Sequence, residues 1–140
     1  MQELSENAAS IAIAGEPDMQ SLLSKYRVTT SEIFTGSWVN KKFTSEMMFR
    51  KRFVWIDQEN SRLYWSKVGK RDDPNKKCID LVIELGDLKV KPTGFVCLTK
   101  ELGGKSIEIQ ITSGDKEKVA ADMVKVIETV RADALQELLK

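Results

Sequence analysis

The chain contains no histidine. That absence removes the Ser-His-Asp and Cys-His nucleophile systems and most mixed Cys/His zinc sites. An enzyme is therefore disfavoured, and the expected role needs neither a metal nor a cofactor. Cysteine is scarce: Cys78 and Cys97 match no metal motif and no redox pair. Both fall in apolar runs and read as small buried hydrophobes in a reducing compartment. No apolar run approaches the roughly 20 residues needed to span a bilayer. The N-terminal MQELSENAASIAIAG lacks the basic start of a secretory signal, so a cytosolic setting is expected. The second residue is Gln2, so the sequence as written lacks the glycine that N-myristoylation requires.

What is present describes one soluble globular domain: 140 residues, 41% apolar and 31% charged, with formal net charge +1. The near-zero total hides a polarised distribution. Residues 1–37 carry two basic and five acidic side chains, residues 38–78 eleven and five, and residues 79–140 nine and eleven. A basic central third on a neutral chain is a surface suited to an anionic partner.

Met19, Leu22, Leu23 and Tyr26 recur at helical spacing just after Pro17. They predict a short helix that docks on the following domain or on a partner, after a small, polar arm over residues 1–15. From about residue 32 the period changes to two, predicting strands at 37–43, 48–57, 62–68, 78–85, 87–91, 94–99 and 106–112. Turn chemistry separates them, as at Asp57-Gln-Glu-Asn-Ser61, Asp72-Asp-Pro-Asn75, Pro92-Thr-Gly94 and Gly103-Gly104. The period then returns to helix. Val119, Met123, Val126, Ile127, Val130, Ala134 and Leu138 form one face after the caps offered by Ser113-Gly-Asp115. Short antiparallel strands must close or stack to hide their edges, and an amphipathic helix over the open end buries both apolar faces.

Gly36-Ser-Trp38-Val-Asn-Lys41-Lys42, then Phe49-Arg-Lys-Arg52-Phe-Val-Trp-Ile56 and Arg62-Leu-Tyr-Trp65-Ser66, followed by the final helix, resemble pleckstrin homology domains. The resemblance covers residues 33–131. It implies a mainly β fold: a seven-stranded antiparallel sandwich or barrel capped by a C-terminal helix, here with an extra N-terminal helix. The division expected is an arm and short helix at 1–31 and the pleckstrin-homology-like domain at 32–140. Within that fold the chain is also similar to the inner membrane complex sub-compartment proteins of apicomplexan parasites. Those proteins are small, single-domain and degenerate at the lipid site, and they imply a peripheral position on the cytoplasmic side of a membrane.

Strand parity gives candidate site residues independently of that resemblance. Val54 and Ile56 belong inside, so Arg50 and Arg52 share the inner face near the start of their strand. Lys41 and Lys42 end the preceding strand, and Lys42 is the one expected to converge on the same mouth. Lys67 and Lys70, with Arg71, Lys76 and Lys77, enlarge the positive rim. Guanidinium and ammonium groups so placed form an anion or lipid-headgroup site. Phe43, Met47 and Met48 mark an adaptable apolar loop, a candidate protein-interaction surface.

Glu46 in that loop, and Asp72 and Asp73 beside the rim lysines, reduce the positive charge. The favoured function is accordingly a protein-interaction and localisation module of a membrane-associated assembly, cortical or of an inner membrane complex. The alternative is a domain binding phosphoinositide or another anionic lipid. Protein partners are expected, anionic lipid is the second candidate, and nucleic acid is not expected because the total charge is too low. Gly103-Gly-Lys105-Ser106 ends like a phosphate-binding loop, but Thr99 stands where the first glycine belongs and a strand follows instead of a helix.

Overall fold

Apolar residues two apart set the sheet. Val39 in β1 (Ser37–Phe43), Val54 and Ile56 in β2 (Arg50–Asp57), and Leu63 and Trp65 in β3 (Arg62–Ser66) are all buried. Ile79 in β4 (Lys77–Asp80), Val96 and Leu98 in β6 (Phe95–Lys100), and Ile107 and Ile109 in β7 (Ile107–Gln110) complete the inner face. Burying each such side chain contributes about 1.5–3 kcal/mol. With β5 (Leu85–Lys91) they form one antiparallel seven-stranded sheet in the order β4-β3-β2-β1-β7-β6-β5.

The computed structural model describes residues 18–82, 85–91, 94–100 and 106–139, with 85–91, 99 and 100 described as backbone. The arm expected at 1–15, most of the turn at Pro92-Thr-Gly94, and the Gly103-Gly104 turn lie outside the described residues.

Three helices accompany the sheet. In α1 (Met19–Tyr26), Leu22 and Tyr26 enter the same core as the strands, and the Tyr26 ring lies 5.5 Å from that of Phe34. The predicted N-terminal helix thus docks on its own domain. The short α2 (Glu32–Thr35) packs against β2 and ends at Gly36, whose φ is +112°. A Cβ there would collide with the Phe53 ring, so only glycine lets the aromatic close against the chain.

The long α3 (Lys116–Leu138) packs on β5 and β6 and on α1. Its N-terminus is capped by Asp115, which accepts from the Lys118 N–H at 3.2 Å. Met123, Val126, Ile127 and Val130 are buried as the periodicity requires, but Leu138 is 74% exposed. Among the described residues the helix outruns the core after Val130, so the last part of the predicted stripe is not buried in it.

Side chains trim the strands relative to the apolar pattern. β3 stops at Ser66 because the Ser66 hydroxyl accepts from the Val68 N–H at 3.1 Å and turns the chain. β4 stops at Asp80, whose carboxylate accepts from the Val82 N–H at 2.9 Å. Cys78, expected inside, is exposed: β4 is an edge strand, and Cys78 stands opposite Tyr64 on the outer face. Cys97 is half-buried.

The outer face carries its own aromatic row. Trp38, Phe53, Trp55 and Tyr64 follow one another at ring separations of 5.5, 5.9 and 5.3 Å. Residues of the β3–β4 connection fold onto it, with Gly69 against Trp38 and the Arg71 guanidinium donating to the Phe34 carbonyl at 3.5 Å.

Candidate functional site

β1 and β2 pair so that Lys41 stands opposite Arg50 and Val39 opposite Arg52. Strand alternation sends Val39, Lys41 and Phe43 to the inner face, where Val54 and Ile56 also lie. Lys41, Arg50 and Arg52 therefore border one cavity of about 680 Å³ at the mouth of the sheet. Trp65, Ser66, Lys67, Asp73, Lys76 and Lys77 supply the facing wall. Among the described residues six basic side chains meet two acidic ones there, which leaves a net positive cavity.

Lys41 is the unusual member. It is only 5% exposed, and its Nζ lies 3.9 Å from the centre of the Phe43 ring and 4.2 Å from that of Trp65. The two rings meet edge to face at 6.1 Å, making an aromatic corner that holds the ammonium. Among the described residues no oxygen lies within hydrogen-bonding distance of Nζ. Burial pushes its pKa down to about 8; Glu46 opposes that shift and Arg52 adds to it.

The two acids in the lining have structural work. Asp73 is buried and accepts from the Ser66 hydroxyl at 2.9 Å and the Asn75 N–H at 2.9 Å. These bonds, the Asn75 N–H first, hold its carboxyl below the usual range. They also fix the turn from which Lys76 and Lys77 depart. Glu46 accepts from the Phe43 N–H at 2.7 Å and gives its own N–H to the Phe43 carbonyl at 2.9 Å. It thereby closes the β1–β2 turn.

Lys42 does not join the mouth. One residue after Lys41, it faces the other way, donates to the Glu46 carbonyl at 3.1 Å and pairs with Glu108 at 3.8 Å. Lys70 is exposed on the β3–β4 connection, outside the cavity. Phe43 is part of the cavity wall, whereas Met47 and Met48 project from the turn with 96% and 69% exposure. Sequence reasoning missed the aromatic corner, although the alternation Val39, Lys41, Phe43 already carried its signal.

A second cavity, of about 410 Å³, lies between α1, the β2–β3 turn and the end of α3. Among the described residues Glu59, Asp80, Asp133 and Glu137 line it with Lys25 as the single cation, so its charge is opposite to that of the mouth.

No protein-family model and no curated protein matches the sequence. Solved structures do match in shape. The N-terminal PH domain of human ARAP2 aligns with a TM-score of 0.56 at 15% identity, covering 76% of this chain and 85% of that one. Inner Membrane Complex Sub-compartment Protein 3 from Toxoplasma gondii aligns at 0.53 and 10% identity, covering 82% and 83%. The PH domain from TgAPH aligns at 0.53 and 12%, covering 81% and 90%. The chain is a pleckstrin-homology-fold protein: a seven-stranded antiparallel sheet with a C-terminal helix and a docked N-terminal helix.

Proposed function

We propose that this chain is a non-catalytic pleckstrin-homology-fold module that attaches a membrane-associated assembly to an anionic lipid headgroup. The observation that carries the reading is the convergence of Lys41, Arg50 and Arg52 on one open, net positive cavity. Arginine forks bind phosphate oxygens bidentately, and a buried ammonium held against aromatic rings is satisfied by an incoming anion. Each basic group near an anionic leaflet adds about 1 kcal/mol, so a cluster of six supports stable attachment better than a diffuse surface charge does. The likeness to a protein named for a sub-compartment of an inner membrane complex supports a peripheral position in an assembly of that kind; the cytoplasmic side is the one expected of a chain that reads as cytosolic. No helix among the described residues is long and apolar enough to cross a membrane.

A second reading is the one the sequence favoured, a protein-interaction module. Leu135, Leu138 and Leu139, 51%, 74% and 84% exposed at the overrunning end of α3, support it by offering an apolar patch to a protein partner.

Vesicle co-sedimentation tests the first reading against the second. Wild-type protein is expected to bind vesicles containing phosphoinositide in a salt-sensitive manner, and Arg50→Ala/Arg52→Ala to lose that binding while remaining folded. Equal sedimentation of both proteins, or of neither, would overturn the headgroup reading and favour the protein-interaction module.

A further inference from the structure

Lys41 is a primary amine built into a wall instead of being offered to solvent. Its Nζ sits in the corner of the Phe43 and Trp65 rings, 3.9 and 4.2 Å from their centres, and the buried side chain borders the mouth cavity. Its neighbour on β7, Ile109, is apolar. The charges facing it come from β2, which brings Arg50 and Arg52, and from the β3–β4 side, which brings Lys67, Lys76 and Lys77. The two acids of the cavity are engaged in turns. Glu46 accepts from the Phe43 N–H, and Asp73 from the Ser66 hydroxyl and the Asn75 N–H.

Burial disfavours the ammonium form and lowers the Lys41 pKa to about 8, with Glu46 opposing the shift and Arg52 adding to it. Near that pH much of Lys41 is a neutral amine with a free lone pair, whereas an ordinary lysine, at about 10.4, stays protonated. A desolvated neutral lysine is a nucleophile. The site also selects the electrophile. An aromatic corner admits a small apolar molecule, and a cavity of cations stabilises an anionic product. An aldehyde would leave a neutral or cationic imine, which gains nothing from those cations. Carbon dioxide meets both conditions: it is apolar on entry and anionic once bound.

We propose that Lys41 is a carbon dioxide acceptor, whose Nζ forms a carbamate held by the guanidinium groups of Arg50 and Arg52. The nitrogen lone pair makes the N–C bond, one C=O π pair moves onto oxygen, and the nitrogen releases one proton to solvent. No oxidant or reductant takes part. The product puts an anion where the mouth had a cation, within reach of arginine forks suited to a carboxylate-shaped group. The headgroup reading is not required for this step, which needs only the amine and the cations beside it.

The test is carbon-13 NMR of the full chain, labelled with nitrogen-15 lysine, in carbon-13 bicarbonate buffer at about pH 8. A carbamate carbon split by one lysine nitrogen is expected, and its loss in Lys41→Arg, which keeps the positive charge. The N-terminal amine is unlabelled and gives no splitting. Trapping the wild-type adduct with triethyloxonium and mapping its peptides is expected to place it on Lys41, a readout that needs no variant. Arg50→Ala/Arg52→Ala is expected to hold about tenfold less carbamate at the same carbon dioxide pressure. A carbon signal without splitting is bicarbonate bound as an ion and overturns the carbamate. So does a split signal that persists in Lys41→Arg, an adduct spread over exposed lysines, or no adduct at all. Equal carbamate in the double variant overturns the role given to the arginines.

Discussion

The Lys41 ammonium lies 4.2 Å above the Trp65 ring, buried at the mouth of the sheet with its charge turned toward a cavity that contains Arg50 and Arg52. A cation is held there against the cost of desolvation and beside a like charge. An arrangement that is costly in the free protein is relieved when an anion arrives.

Anion binding is therefore linked to protons. In the free protein the Lys41 pKa is lowered to about 8, and a bound phosphate restores the charged form. Above that value the free protein has lost the proton that the complex keeps, so binding takes one up and affinity falls as pH rises past 8. Between pH 7 and pH 9 the expected loss is about tenfold, measured by calorimetry, and Lys41→Met abolishes the dependence. The sign for stability is the reverse. The depressed native pKa makes the charged lysine unfavourable below about pH 8, so stability rises from there toward 10.5 as the native state loses its proton first. Lys41→Met is expected to be the more stable protein at pH 7, on the order of 2 kcal/mol by urea unfolding, with the gap closing at higher pH.

The cavity wall depends on the Ser66 hydroxyl, which donates to Asp73 and accepts from the Val68 N–H. Ser66→Ala leaves a buried carboxylate short of one donor and an N–H short of its acceptor. A loss of about 1–3 kcal/mol is expected in urea unfolding. Anion affinity is expected to weaken as well, because Lys76 and Lys77 leave the same turn. Unchanged affinity in a destabilised variant would restrict the Ser66–Asp73 pair to folding.

Period-two alternation revealed β1 with its true ends, and the apolar face of α3 up to Val130. Strand ends were hidden where a single polar side chain stops pairing, as Ser66 and Asp80 do, since apolarity continues beyond both. Parity put Arg50 and Arg52 on the inner face correctly. The choice between Lys41 and Lys42 needed the β1–β2 register, a tertiary quantity with Lys41 opposite Arg50. Asp73 read as a charge opposing the rim lysines; its partners are local in space, and only the folded turn shows that its role is structural.

Asp122, buried on α3, joins the N-terminal segment to the domain. It accepts from the Thr30 hydroxyl at 2.9 Å and the Thr29 N–H at 3.4 Å, and pairs with Lys118 at 3.1 Å. Asp122→Ala is expected to cost about 1–3 kcal/mol in urea unfolding. Because the lock is made by α3 and the segment after α1, it is expected to leave inositol trisphosphate affinity unchanged. Loss of affinity in this variant would show that the N-terminal segment shapes the mouth.

The central claim is that the cavity of Lys41, Arg50 and Arg52 is an anion site, and an amide NMR titration with inositol trisphosphate tests it most directly. The account predicts saturable shifts confined to Lys41, Phe43, Arg50, Arg52, Trp65 and the Asn75–Lys77 turn, lost in Arg50→Ala/Arg52→Ala. Shifts centred on the acidic cavity of Asp133 and Glu137, or no shifts at millimolar ligand, would contradict it.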